Sequence, residues 1–159
     1  MFADYLSQEQ TIAAAISTTI DIQASPHAVW DVLTDFAAYR DWNPFMNRIE
    51  GVPEVGTKLV VHMSPPGGRG MTFKPTVLAA TPGRELRWLG TLGVRGLFDG
   101  EHSFVLTANA DGTTHLSHCE RFTGVLVALF KSTLNNSHAG FEAFNSALKQ
   151  RVETAHLPR

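Results

Sequence analysis

Three ionisable side chains in the second half of the chain, His102, His118 and Glu120, belong to the residue types that transfer protons in enzymes. Each lies in a segment where polar and apolar residues alternate, which predicts a β-strand with one buried face. All three share a face with large apolar residues, because successive side chains of a strand point to opposite sides. The pattern therefore predicts three ionisable groups that face an apolar interior.

Glu120 has the strictest energetic requirement of the three. An ionised carboxylate among apolar side chains costs several kcal/mol unless it is paired or reaches water. In a functional interpretation, Glu120 anchors a polar group of a ligand, or exchanges a proton with it with help from His118 or His102. In a structural interpretation, His102 is a neutral imidazole bonded to a neighbouring hydroxyl, and Glu120 forms an ion pair with an arginine. The candidate arginines are Arg69, Arg87 and Arg95.

A metal site or a cofactor site is not expected from the sequence. The residues that could bind a metal are His62, His102, His115, His118 and Glu120. Strand alternation places His115 and His118 on opposite faces, and no standard zinc-ligand spacing occurs. The glycine-rich segment 65–70 leads into a strand, which predicts a hairpin loop, whereas a phosphate-binding loop opens a helix. No other cofactor motif is found.

Covalent catalysis by a serine or a cysteine is not expected either. Ser103 follows His102 and Glu101, but neighbouring residues of a strand point to opposite faces, and no Gly-x-Ser-x-Gly turn occurs. Cys119 is placed on the outward face without an obvious activating neighbour. As the only cysteine it cannot form an intramolecular disulfide, which fits a reducing compartment.

The size and charge of the chain limit the classes of protein to which it can belong. A length of 159 residues is typical of one domain with a substantial core. With 13 basic and 15 acidic residues the net charge is -2, so a nucleic-acid partner is not expected. No apolar run approaches the roughly 18 residues of a membrane span, and the N-terminus lacks the basic region of a secretory signal. Membrane insertion and export are not expected, and a cytoplasmic location is favoured.

The periodicity predicts one strand, two short helices, six further strands and one long helix. Ser25 and Pro26 supply a capping hydroxyl and a proline at the first helical position, which predicts a helix start. The strands are expected at 17–23, 47–51, 57–64, 70–80, 84–91, 98–109 and 113–123, and the helices at 26–35, 36–42 and 132–155. Residues 1–15 are interpreted as an N-terminal arm and residues 16–156 as one domain.

A seven-stranded antiparallel sheet with one long helix can bury its apolar face by curling around that helix. Several segments match a known family. They are IDIQASPHAVWDVLTDF at 20–36, Tyr39 with WNPF at 42–45, LRW at 86–88, GEHSF at 100–104 and ERFTG at 120–124. With the order of elements, these segments resemble the START-like SRPBCC superfamily, in its bacterial polyketide cyclase/dehydrase-related branch. The resemblance implies an α+β helix-grip fold, a seven-stranded curved antiparallel sheet wrapped around the C-terminal helix.

The strand pattern fits a filled core as well as an open pocket, because both use the same side chains. The resemblance implies a cavity between the sheet and the long helix. The residues expected to contact a ligand there are Trp42, Phe45, Val61, Met63, Met71, Phe73, Trp88, His102, Phe104, His118, Glu120, Phe141, Phe144 and Leu148. Trp42 and Phe45 are expected at the entrance.

Three functions remain open. The first is the binding of a small hydrophobic molecule of lipid, polyketide or aromatic type. The second is a cyclase/dehydratase-like enzyme in which a pocket histidine or glutamate transfers a proton without a metal or nucleotide cofactor. The third is a partner-binding module without a ligand. The apolar segment 90–98 and the N-terminal arm are also compatible with a homodimer.

Overall fold

Two antiparallel sheets and one long helix make up the α+β domain. The structure is a computed structural model that describes residues 12–155. The strands are β1 (Ala14–Ile22), β2 (Met46–Glu50), β3 (Val60–Met63), β4 (Met71–Phe73), β5 (Thr76–Thr81), β6 (Glu85–Thr91), β7 (Asp99–Ala108) and β8 (Thr114–Thr123). The helices are α1 (Pro26–Thr34), α2 (Tyr39–Trp42) and α3 (Lys131–Ala155), with short 3₁₀ turns at Phe36–Ala38 and Val127–Phe130.

The number and arrangement of the strands differ from the prediction. One sheet has the order β1-β8-β7-β6-β5 and the other the order β2-β3-β4, so the predicted single sheet of seven strands is wrong. The expected strand 70–80 is interrupted at Pro75, which has no N–H to donate, and its two parts lie in different sheets. The sheets stay joined at this break, because the backbone N–H of Leu59 donates to the carbonyl of Pro75 at 2.8 Å.

The local signals in the sequence act as expected. The Ser25 hydroxyl accepts a hydrogen bond from the backbone N–H of Ala28 at 3.3 Å, and Pro26 occupies the first turn of α1. The glycine-rich segment 65–70 connects β3 and β4, which pair antiparallel, so the predicted hairpin loop is confirmed. These signals depend only on neighbouring residues.

The predicted N-terminal arm is described only in part. β1 begins at Ala14, so Ala14 and Ala15, which the pattern assigns to the arm, pair with β8. Residues 1–11 and 156–159 lie outside the described residues. None of the helices within residues 12–155 is long and apolar enough to cross a membrane.

The apolar core lies under the second half of α3. The fully buried side chains on this face of the helix are Phe141, Phe144, Leu148 and Val152, as the helical period predicts. Trp42 and Phe45, which the sequence places at a cavity entrance, pack into this core instead. The ring centroid of Trp42 lies 5.8 Å from that of Phe144, and the centroid of Phe45 lies 5.6 Å from that of Phe141.

Candidate functional site

A cavity of about 400 Å³ lies beside the first half of α3, bounded by both sheets. Small-molecule sites typically enclose roughly 300–1,000 Å³. Its apolar wall is formed mainly by Met46, Val61, Met63, Met71, Phe73, Trp88, Phe98, Phe122, Phe130 and Leu134. The polar residues of the wall are His102, Glu120, Thr72, Thr91, Thr133 and Ser137. A mostly apolar ligand would therefore meet a few polar groups in this space.

Glu120 and His102 form the ionisable part of the wall. They are direct cross-strand neighbours on β8 and β7. Oε2 of Glu120 lies 3.4 Å from Nδ1 of His102. The His102 side chain is 2% exposed and the Glu120 side chain is 16% exposed. Glu120 is thus the more accessible member of the pair.

A series of hydrogen bonds continues from this pair into the core. Nε2 of His102 lies 2.7 Å from Nε2 of His118, and Nδ1 of His118 lies 2.7 Å from Oδ1 of Asn145. Nδ2 of Asn145 donates to Oγ1 of Thr18 at 2.9 Å, and the Thr18 hydroxyl donates to the backbone carbonyl of His118 at 3.1 Å. We call these residues the relay: Glu120, His102, His118, Asn145 and Thr18.

The innermost bonds of the relay fix the direction of the others. Because the Thr18 hydroxyl donates to a carbonyl, its oxygen accepts from the amide nitrogen of Asn145, and the amide oxygen accepts from Nδ1 of His118. Nε2 of a neutral His118 is then an acceptor, so Nε2 of His102 carries the hydrogen between the two rings. On the other edge of His102, Nδ1 faces Oε2 of Glu120 at 3.4 Å, and the two groups form an ion pair when the ring is protonated.

The position of His118 agrees with a neutral ring. Burial and the neighbouring His102 hold the pKa of His118 well below its ordinary value, and the hydrogen bond to Asn145 opposes this shift without reversing it. The His118 ring stacks on Phe141 and Phe104, with centroid distances of 4.1 and 4.4 Å. His118 is therefore a fixed core residue, and Glu120 and His102 are the ionisable groups that line the cavity.

Half of the residues expected to contact a ligand line the cavity. They are Val61, Met63, Met71, Phe73, Trp88, His102 and Glu120. The other half do not form its wall. They are Trp42, Phe45, Phe104, His118, Phe141, Phe144 and Leu148, which pack within or against the core. Strand and helix periodicity identify the inward face, but they do not say whether that face meets a neighbouring element or open space.

Some site residues are not identified by the sequence pattern. Asn145 follows Phe141 by four residues, so the helical period places its amide on the buried face, where it needs a partner. That signal could have revealed it. Gly100 gives no such signal. A side-chain carbon at Gly100 would lie 2.8 Å from Oε1 of Glu120, so the missing side chain leaves room for the carboxylate.

The partners of the ionisable residues differ from those expected. Glu120 pairs with His102 and not with an arginine, and His102 bonds to an imidazole and not to a hydroxyl. Arg87 pairs with Glu85 at 3.1 Å and Glu101 at 3.6 Å, on the other face of the sheet. Strand register is the cause, because it sets Glu120 directly opposite His102. Within residues 12–155, no group of three His, Cys, Asp or Glu side chains is placed to hold a metal ion.

Antiparallel strands packed on a long C-terminal helix, with an apolar cavity between them, define a helix-grip protein of the START-like type. The family model described as polyketide cyclase/dehydrase and lipid transport matches residues 13–153 of the chain. The chain belongs to this family, which confirms the resemblance noted in its sequence.

Solved structures share this fold at low sequence identity. A START superfamily protein from Mycobacterium smegmatis is 19% identical, with a TM-score of 0.70 over 89% of this chain and 98% of its own. The Zhui aromatase/cyclase from a Streptomyces species is 15% identical, with a TM-score of 0.71 over 88% and 93%. A norcoclaurine synthase mutant from Thalictrum is 14% identical, with a TM-score of 0.70 over 89% and 95%. No curated protein matches the chain.

Proposed function

We propose that the protein binds a small, mainly apolar molecule of lipid, polyketide or aromatic type in the cavity. The observation that carries the proposal is an apolar cavity whose wall contains one ionisable pair, Glu120 and His102. Apolar burial contributes about 25 cal/mol per Å², so a ligand that buries about 200 Å² gains about 5 kcal/mol. Glu120, His102 and the nearby hydroxyl groups then orient a polar group of the ligand.

Native mass spectrometry of the freshly purified protein tests this proposal. A co-purified compound is expected to add a discrete mass that disappears when the protein is denatured. The compound released into organic solvent then identifies the chemical class. A protein that carries no added mass and binds no apolar fluorescent dye would contradict the proposal.

Gly90 offers a variant that fills the cavity. It lies in β6 in the cavity wall, and a side-chain carbon there would meet its nearest neighbours at 3.9 Å, which is ordinary contact. Valine suits a strand, so Gly90→Val occupies ligand space with a stability change of about 1 kcal/mol or less. We expect it to weaken binding of an apolar dye about tenfold or more. The control Thr107→Val, at an exposed position of β7 away from this cavity, leaves dye affinity unchanged.

A proton-transfer enzyme of the cyclase/dehydratase type is the second candidate. The relay favours it, because the relay holds His102 in one orientation and places its Nδ1 beside the Glu120 carboxylate at the cavity wall. Glu120→Gln keeps the shape of the side chain but removes its acid/base function. A loss of turnover of about 100-fold or more on the identified compound supports the enzyme. A modest change in affinity with no turnover in the wild type supports the carrier.

The control for this substitution is Glu142→Gln on α3, where the carboxylate is exposed and pairs with His138. It changes the net charge of the protein in the same way but lies outside the cavity wall. Neither turnover nor affinity is expected to change in this variant.

We infer a cytoplasmic location for this activity. The single cysteine, Cys119, needs no oxidising compartment. The net charge of -2 gives no reason to expect a nucleic-acid partner.

A further inference from the structure

Two adjoining segments at one end of the cavity expose aliphatic side chains to solvent. We call them the lip, residues 92–97 and 124–130. The exposed side chains of the lip are Leu92, Val94, Val125 and Leu129, with 53%, 64%, 77% and 76% of their surface accessible. Clustered apolar side chains on a protein surface mark interaction sites, whereas isolated ones do not.

The lip is held in place by hydrogen bonds. The backbone N–H of Val125 donates to the carbonyl of Gly96 at 3.2 Å, and the N–H of Leu126 donates to the carbonyl of Leu97 at 2.9 Å. The N–H of Gly96 also donates to the buried carboxylate of Asp99 at 2.8 Å. These bonds hold the two segments against each other with their aliphatic side chains outward.

Gly124 permits this close approach. It has a φ of +117°, and a side-chain carbon there would overlap the backbone of Leu97. The exposure of the aliphatic side chains is therefore a consequence of a specific backbone arrangement.

The exposed charged side chains of the lip and of the residue that follows it are basic, whereas the carboxylate of Asp99, which bonds to Gly96, is buried. Arg95 lies within the lip and Lys131 directly follows it, and both are exposed. Segments 90–98 and 121–141 contain no aspartate or glutamate. Aliphatic side chains flanked by basic ones complement an anionic lipid surface, where apolar burial and charge attraction act together. A second copy of the same surface would bring its own positive charges, so self-association is less favoured.

The lip is also continuous with the cavity. Leu92 and Phe130, at its two ends, line the cavity wall, as does the adjoining Phe98. We propose that the lip docks the protein on an anionic membrane surface, with the cavity facing the lipid. This goes beyond the proposed binding function, since it assigns a partner to the exposed side chains of the lip, of which only Leu92 lines the cavity.

Vesicle sedimentation tests the docking. One set of vesicles contains phosphatidylcholine alone, and the other contains phosphatidylcholine and phosphatidylglycerol in equal parts. We expect the wild-type protein to bind the anionic set, and added salt to weaken this binding. The double variant V125E/L129E should bind about tenfold or more weakly, because two apolar contacts are replaced by repelled charges. Arg95→Glu should weaken binding about fivefold or more.

The matched control is V52E/V55E. Val52 and Val55 are 48% and 68% exposed in the connection between β2 and β3, so this double substitution adds the same two negative charges outside the lip. It should lower binding far less than V125E/L129E. Equal losses in the two variants would overturn the proposal, since they would reflect net charge alone. Wild-type protein that fails to bind anionic vesicles would also overturn it.

Two further measurements separate this inference from its alternatives. If analytical ultracentrifugation shows a dimer that V125E/L129E abolishes, while vesicles are not bound, the lip joins two copies and the proposal is overturned. Gly90→Val should lose dye binding and keep vesicle binding, whereas V125E/L129E should keep dye binding. Docking and ligand binding can therefore fail independently.

Discussion

The two halves of α3 differ in what lies beneath them. In the second half, Phe141, Phe144 and Leu148 are fully buried and leave no accessible surface. In the first half, Thr133 and Ser137 are small side chains that line the cavity. The helix is continuous through both halves, so the difference arises from side-chain size and from the distance to the facing elements.

Gly140 marks the boundary between these halves. A side-chain carbon at Gly140 would overlap the ring of Phe45, so its absence lets the helix and this ring touch. One turn earlier, the small side chain of Ser137 faces unfilled volume. A small residue on α3 therefore allows tight packing where the facing side chain lies close, and it leaves open space where the facing side chain lies farther away. The same sequence pattern can therefore produce either a core or a cavity.

The largest expected loss of stability comes from a substitution in the packed second half of α3. Phe141→Ala removes a ring that contacts Phe45 and His118, so it should lower the free energy of unfolding by about 3–5 kcal/mol. Leu134→Ala removes a partly buried side chain beside existing open space and should cost about 1 kcal/mol. Urea unfolding of both variants measures this difference. Equal losses would mean that the first half of α3 is packed as tightly as the second.

Periodicity predicts which faces are buried but not how far apart they lie. Strand alternation correctly places Trp88, His102 and Glu120 toward the interior, where all three line the cavity. The helical period likewise identifies the buried face of Phe141 and Leu148. Periodicity does not distinguish a filled core from an open cavity, because the difference depends on distances between elements that are remote in sequence.

Other features depend on pairings that the pattern leaves open. Pro75 splits one expected strand into two that belong to different sheets, and the loss of its N–H was the available signal. The relay depends on register, since His118 is set opposite Thr18 on β1 and opposite Phe104 on β7. Asn145 joins it only because α3 crosses β1 at this point.

The polar part of the packed half provides a second test. Asn145→Leu removes the partner of both His118 and Thr18, so the imidazole Nδ1–H loses its acceptor. Unmet hydrogen-bonding groups in a core cost about 1–3 kcal/mol each, and we expect a total loss of about 2–3 kcal/mol. Nitrogen-15 NMR of the imidazole rings should also show that His118 no longer holds its hydrogen on Nδ1 alone.

Asn135→Leu is the control for that substitution. Asn135 is exposed on the first half of the same helix, so its replacement should change stability by about 0.5 kcal/mol or less and leave the imidazole spectra unchanged. If the two variants behaved alike, the relay would have no role in fixing the histidine rings.

The smallest expected effect is a pH dependence of the free energy of unfolding. It arises from His118, which packs against the second half of α3. The pKa of His118 is lowered in the folded protein by burial and by His102, whereas in the unfolded chain it returns to about 6.5. The unfolded state therefore binds more protons below this pH, so stability is fully present above about pH 6.5 and falls as the pH decreases. The loss from this group should be about 1 kcal/mol between pH 6.5 and 5.5.

His118→Gln should flatten the dependence measured by urea unfolding, while His27→Gln, at an exposed position, should keep it. An unchanged slope in His118→Gln would mean that the buried ring accepts a proton as readily as it does in water, and the fixed direction of the relay would then be wrong.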